Sequence, residues 1–143
     1  MPLRFALNAF DELHIGKCVI KNSHERSSFL IEGRVPILQG RDYLEPEKAT
    51  SALENFYCCL QKIYLEEAYE EHQGAYLAGA ARSLSENPSL ALELQIVDQL
   101  VTSGDHFRAL RALKKLIGSQ PFKKDKTAPE SYVPRVNGWK KAI

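Results

Sequence analysis

The sequence predicts an α+β fold: a small N-terminal antiparallel β-sheet or partial barrel followed by an antiparallel helical bundle. Three observations carry this. Apolar residues alternate with polar ones through the first 44 positions, the period of a half-buried strand. From Pro46 the spacing changes to threes and fours, the period of an amphipathic helix. Gly, Asn and Pro punctuate both regions where turns are needed. The chain has 143 residues, 44% of them apolar, enough for an ordinary core. The expected organisation is a β-rich part over 1–44, a helical part over 45–120, and a basic, flexible tail over 121–143.

In the first part, Leu3, Phe5 and Leu7 alternate with Arg4 and Ala6, and Asn8-Ala9-Phe10-Asp11 supplies a turn. Leu13 and Ile15 alternate with Glu12 and His14 before Gly16, which permits a bend or bulge. Cys18-Val19-Ile20 begins another strand, broken at Asn22-Ser23-His24-Glu25. Ser28-Phe29-Leu30-Ile31-Glu32 resumes the pattern. Val35-Pro36-Ile37-Leu38 is a further short apolar piece, whose proline favours an edge or a strand start, and Gly40 ends it.

In the second part, Glu45-Pro46-Glu47 reads as a helix opening, with proline in the first turn and acids at the positive end. Leu53, Phe56, Tyr57, Leu60, Ile63, Tyr64 and Ala68 then mark one face of a long helix. A second helix is expected from Tyr69 to Leu84. Asn87-Pro88 marks a boundary at which Asn87 caps a third helix, with Leu90, Leu94, Val97 and Val101 as its stripe. Asp105 caps a fourth, which is expected to bury Phe107, Leu110, Leu113 and Leu116 or Ile117, ending at Gly118. Its other face carries Arg108, Arg111, Lys114 and Lys115. In the tail, Trp139 is expected to dock back onto the body or onto a partner.

The formal net charge of +1 conceals segregation. Residues 1–44 carry six Lys/Arg against five Asp/Glu, residues 45–100 three against ten, and residues 101–143 ten against three. A basic surface attracts phosphates and an acidic one repels them, although the two segments could equally face each other in the fold. No apolar run approaches the roughly 20 residues that cross a bilayer, and no secretory leader pattern opens the chain, so the cytoplasm is expected. Cys18, Cys58 and Cys59 cannot form a complete disulfide framework, lack a C-x-x-C pair, and read as buried free thiols.

Catalytic constellations are not apparent. His14, His24, His72 and His106 make no H-E-x-x-H pattern, and neither a nucleophile elbow nor a phosphate loop occurs. His72 reads as a solvated surface group, and Glu66-Glu67 and Glu70-Glu71 as the wet face of a helix. No enzyme activity, cofactor or metal is expected.

Taken in order, these residues resemble the FlbT family of bacterial flagellin-expression repressors. Met1-Pro2-Leu3, Ile15-Gly16, Val19-Ile20, Asn22, Arg26 and Ser28-Phe29-Leu30-Ile31-Glu32 are similar to that family's opening. Ile37-Leu38, Asp42-Tyr43-Leu44, Pro46-Glu47, Ala49-Thr50, Tyr57 and Ile63-Tyr64-Leu65 continue it, and Phe107-Arg108-Ala109-Leu110-Arg111-Ala112-Leu113 resembles its C-terminal motif. The likeness spans roughly residues 1–117. Asn22-Ser23 replaces the family's Asn-Gly, Glu25-Arg26 its paired arginines, and Gln39-Gly40-Arg41 stands in its Leu-Arg region. The resemblance implies post-transcriptional control: binding to the 5′ untranslated leader of flagellin mRNA, repression of translation and promotion of decay. Some members instead promote flagellin production. Implied partners are the flagellin mRNA leader, the small flagellar protein FlaF and flagellin itself.

RNA contact requires cations for phosphates and planar groups for stacking. Arg4, Lys21, Arg26, Arg34 and Arg41 are the candidate RNA-binding residues, and Phe10, Phe29 and Tyr43 the candidate stacking groups, with Phe29 better explained as core. A homodimer through the edge beside Pro36 and a protein-binding adaptor built on the helical stripes are the further expectations.

Overall fold

The computed structural model describes residues 3–118 and 121–122, so the tail expected over 121–143, with Trp139, lies outside the described residues except for Pro121 and Phe122. Five strands come first: β1 Leu3–Leu7, β2 Glu12–Ile15, β3 Cys18–Lys21, β4 Ser27–Ile31 and β5 Ile37–Gln39. Four helices follow: α1 Ala52–Glu66, α2 Tyr69–Glu86, α3 Ala91–Thr102 and α4 His106–Ile117. The α+β expectation holds.

The first four strands make one long hairpin, bent in the middle. β2 pairs with β3 from Glu12↔Lys21 to Ile15↔Cys18 around a tight turn in which Gly16 takes φ +56°, a conformation that glycine adopts without steric cost. β1 pairs with β4 from Leu3↔Ile31 to Leu7↔Ser27, one residue out of step with the inner half. The extra residue falls in the 22–26 segment and forms the bend. Asn22 holds this bend together. Its Nδ2 lies 2.8–3.0 Å from the carbonyl oxygens of Leu7, Asn8 and Glu25, and its Oδ1 accepts from Ser27 Oγ. Opposite it, Phe10 is forced to φ 61°. β5 adds to the free side of β2, giving the order β3-β2-β5, while β1-β4 stands as a separate two-stranded ribbon.

α1 is the spine of the molecule. Ser51 accepts from Glu54 N while Glu54 Oε1 accepts from Ser51 N and Thr50 N, a capping box that starts the helix. This corrects the opening expected at Pro46, where Pro46–Lys48 forms only a short 3₁₀ turn. Leu53, Phe56, Leu60 and Ile63 face α2 and α4 and are buried. Tyr76 on α2 is also buried and donates to Asp98 of α3 at 2.8 Å.

Two further differences concern helix ends and faces. Asn87 does not cap α3. Its Nδ2 donates to Ser83 O, closing α2, and Pro88–Leu90 forms a 3₁₀ turn before α3 begins. Asp105 does cap α4, accepting from Arg108 N at 3.2 Å. α4 buries Ala109, Leu110 and Leu113, but Phe107 remains 40% exposed, covered on one side by the Tyr64 ring of α1 at 5.7 Å. Cys18 is exposed and Cys58 and Cys59 half-buried, so burial of all three thiols does not hold. His72 is half-buried, its Nε2 3.5 Å from Glu66 Oε1, rather than a solvated surface group. No described helix is long and apolar enough to cross a membrane.

Candidate functional site: a cationic cleft at the sheet–helix seam

The seam between the β-part and the helices is built by a second face of α1. Tyr57, Gln61 and Tyr64 recur at spacings of four and three, so they line up along one side of the helix. Each one bonds backbone in the β5 region. Tyr64 Oη lies 2.9 Å from both the N and O of Ile37, the groups that β5 turns away from β2. The edge beside Pro36, expected to pair subunits, is occupied at Ile37 by this hydroxyl. Tyr57 Oη donates to Asp42 O at 2.6 Å. Gln61 is 2% exposed and imitates a strand: Leu44 N donates to its Oε1 at 3.1 Å, and its Nε2 donates to Leu44 O at 2.6 Å. Burial drives the Tyr57 phenol pKa upward, with the Asp42 carboxylate adding to the effect, so it remains a donor.

Between these anchors the chain turns through Gly40–Asp42. A Cβ at Gly40 would lie 2.9 Å from Glu12 O, so only glycine lets this turn lie against β2. Lys114 of α4 bonds the Asp42 carboxylate and lies 3.5 Å from Arg41 O. Phe122 N donates to Arg41 O at 2.9 Å, with its ring against Tyr57 and beneath the Lys114 ammonium. The Arg41 backbone is therefore fixed from several sides while its side chain stays exposed.

What faces Arg41 is the basic side of α4. A cleft of about 270 Å³ is lined by Arg41, Arg111, Lys114 and Lys115, with Tyr57 and Phe107 among its apolar walls. Lys114 is neutralised by Asp42, which leaves Arg41, Arg111 and Lys115 as its uncompensated cations. Arg111 also lies over the Phe107 ring at 5.8 Å, presenting a cation and an aromatic face together. On the other side of Arg41, a cavity of about 210 Å³ in the bend of the hairpin is lined by Phe5, Phe10, Asn8 and Gln39.

The five candidate cations lie on different elements. All are exposed, and none makes an ion pair among the described residues. Arg4 lies on the outer ribbon opposite Leu30, Lys21 on β3 opposite Glu12, Arg26 in the bend and Arg34 in the loop beyond Gly33. Only Arg41 is brought into a cluster of cations. Its companions, Arg111 and Lys115, were visible as a basic helix face, but nothing in the sequence paired that face with Arg41. Of the stacking candidates, Tyr43 is engaged on His14, with ring centroids 3.7 Å apart, and Phe29 is half-buried against Phe5.

Fold and cleft together define the class: an α+β scaffold whose sheet–helix seam carries a groove of cations with aromatic walls. The model of the family "Flagellar protein FlbT" matches residues 3–120, and the chain belongs to that family. It is 36% identical over 117 residues to the probable flagellum biosynthesis repressor protein FlbT of Rhodopseudomonas palustris (strain TIE-1), covering 82% of this chain and 93% of that protein. A similar protein of Bradyrhizobium diazoefficiens, the probable flagellum biosynthesis repressor protein FlbT 1, is 30% identical over 118 residues, 82% of this chain and 81% of its own. The flagellum biosynthesis repressor protein FlbT of Caulobacter vibrioides is 22% identical over 122 residues, covering 82% and 85%. No solved structure matches.

Proposed function

We propose that this protein represses flagellum biosynthesis after transcription, by binding the 5′ untranslated leader of flagellin mRNA. The observation that carries the reading is the convergence of Arg41 with Arg111 and Lys115 in a cleft that also offers Phe107. Single-stranded RNA is recognised by cations along the backbone and aromatic faces beneath unpaired bases. Sequestering a leader in this way blocks ribosome loading and needs no covalent chemistry, in keeping with a regulator rather than an enzyme. The names of the relatives support the repressor role, and the cationic cleft supports RNA as the target.

A gel-shift titration against a flagellin leader at several salt concentrations tests this. Log affinity falls with log salt by about 0.7 per phosphate contact on a single strand. Arg41→Ala and Arg111→Ala each reduce that slope by about 0.7, whereas Arg34→Ala leaves it unchanged. Binding no tighter than to an unrelated leader, with FlaF present, would sink the reading.

A second reading has its own observation. Ile96, Leu100, Ala112 and Leu116 line a groove of about 430 Å³ between α3 and α4 together with Arg108, Arg111, Lys115 and one acid, Glu93. An amphipathic helix with an acidic edge fits such a surface, as a segment of flagellin or FlaF would if the protein acts as an adaptor. Co-purification of either partner after nuclease treatment, lost in Ile96→Asp, separates this from the RNA reading.

A further inference from the structure

Among the described residues the β1–β4 ribbon is little covered. Its two strands pack chiefly on each other, and Leu3 and Leu30 are 51% and 56% exposed. A two-stranded ribbon is marginal in water, and three or more strands are normally needed for stability. The outer edge of β4 is also unguarded. Ser27–Ile31 contains no charge, no proline and no lysine, the devices by which edge strands avoid pairing. Among the described residues the backbone of β4 hydrogen-bonds to β1 alone. An edge of this kind is a template for pairing with another chain, and a two-fold partner satisfies it on both copies at once.

We infer that β4 pairs antiparallel with β4 of a second copy of this chain about a two-fold axis at Phe29, giving a four-stranded β1-β4-β4-β1 sheet. The register is self-complementary. Phe29 meets Phe29, Ser28 meets Leu30, and Ser27 meets Ile31. One step beyond the strand, Arg26 of each copy stands opposite Glu32 of the other, so the axis generates two opposite-charge pairs. Arg26 and Glu32 are both exposed and make no ion pair among the described residues. Nucleic acid is a poor occupant of this uncharged edge, and β5 is closed to the same role by Tyr64.

Size sets the expected strength. The seven residues from 26 to 32 span about 23 Å, a short contact, so a reversible dimer that dissociates on dilution is expected. The inference does not rest on the RNA reading.

Sedimentation equilibrium of the full chain from about 1 to 100 µM tests it, with the native protein expected to approach twice 16.2 kDa at the upper end. Arg26→Glu sets like charges opposite each other at both ends of the pairing, as does Glu32→Arg, and each weakens the dimer roughly tenfold. The double variant Arg26→Glu/Glu32→Arg restores the native dissociation constant to within about threefold. A native protein that stays monomeric to 100 µM overturns the inference. So does a dimer that the single variants leave unchanged, or a double variant no better than either single one.

Discussion

The seam along α1 and the outer ribbon are both made from β-structure with alternating apolar residues, yet they are held in different ways. At the seam, β5 and its connector are locked by side chains from a distant helix: Tyr64 on Ile37, Tyr57 on Asp42 and Gln61 on Leu44. In the ribbon, β1 and β4 are held by each other and by the Asn22 knot at the bend. The two regions differ in how many elements converge on the backbone segment rather than in strand propensity. The cleft lies on the rigid side, so Arg41 is presented in a fixed position. The ribbon lies on the compliant side, where a partner can finish the sheet.

The sharpest test of this contrast is core truncation in α1, the helix whose other face carries the seam. Leu60→Ala, at a position with 0% exposure, is expected to cost about 3 kcal/mol in urea unfolding, from lost burial and the cavity left behind. Leu30→Thr in the ribbon should change stability by less than about 0.5 kcal/mol in dilute protein. Equal effects would erase the distinction.

Next in size is Gln61→Ala, which strands the buried N–H of Leu44 and leaves its C=O only the Cys58 thiol as donor, and should cost about 2 kcal/mol. It should also loosen the turn that carries Arg41, read as faster amide exchange at Tyr43 and Leu44. Asn22→Ala removes the knot of the bend, with an expected loss of about 1–2 kcal/mol confined to exchange protection in β1 and β4.

Smaller still is the cap of α1. Ser51→Ala should cost about 1 kcal/mol. Hydrogen bonds from Thr50 and Ser51 hold the Glu54 carboxyl below its ordinary value of 4.5. A depressed carboxylate stabilises the fold above that ordinary value, and the contribution disappears as pH falls through the lower folded value. Glu54→Ala should therefore flatten the acid limb of the stability profile below about pH 4.5 and lower the plateau above it. Thiol reactivity supplies the mildest probe. Burial, aided by the carboxylates of Glu54 and Glu47, pushes the Cys58 thiol up to about 11, so its thiolate fraction at pH 8 is about 10⁻³. Exposed Cys18 should alkylate first, and Cys58 should catch up only as pH nears 11.

Much of this architecture was legible in the chain. The alternation of Leu3, Phe5 and Leu7, the break at Asn22, the change of period after Pro46 and the Asp105 cap all depend on neighbours a few residues away, and all appear where the pattern puts them. Helix starts were less readable at Pro46 and Asn87, because proline marks a turn without saying whether a 3₁₀ or an α-helix follows. Phe107 was misplaced for a different reason: periodicity gives a face, but not how far the packing partner extends along it.

The sequence by itself determined the order of strands and helices and the basic face of α4, since each arises from local periodicity, turn chemistry and capping, whereas which strand pairs with which came from the tertiary structure. Only the tertiary structure decided which cation joins that basic face. Arg41 meets Arg111 and Lys115 because α1 clamps the β5 connector beside α4, bringing together residues some 70 positions apart, and no local pattern encodes a contact of that range.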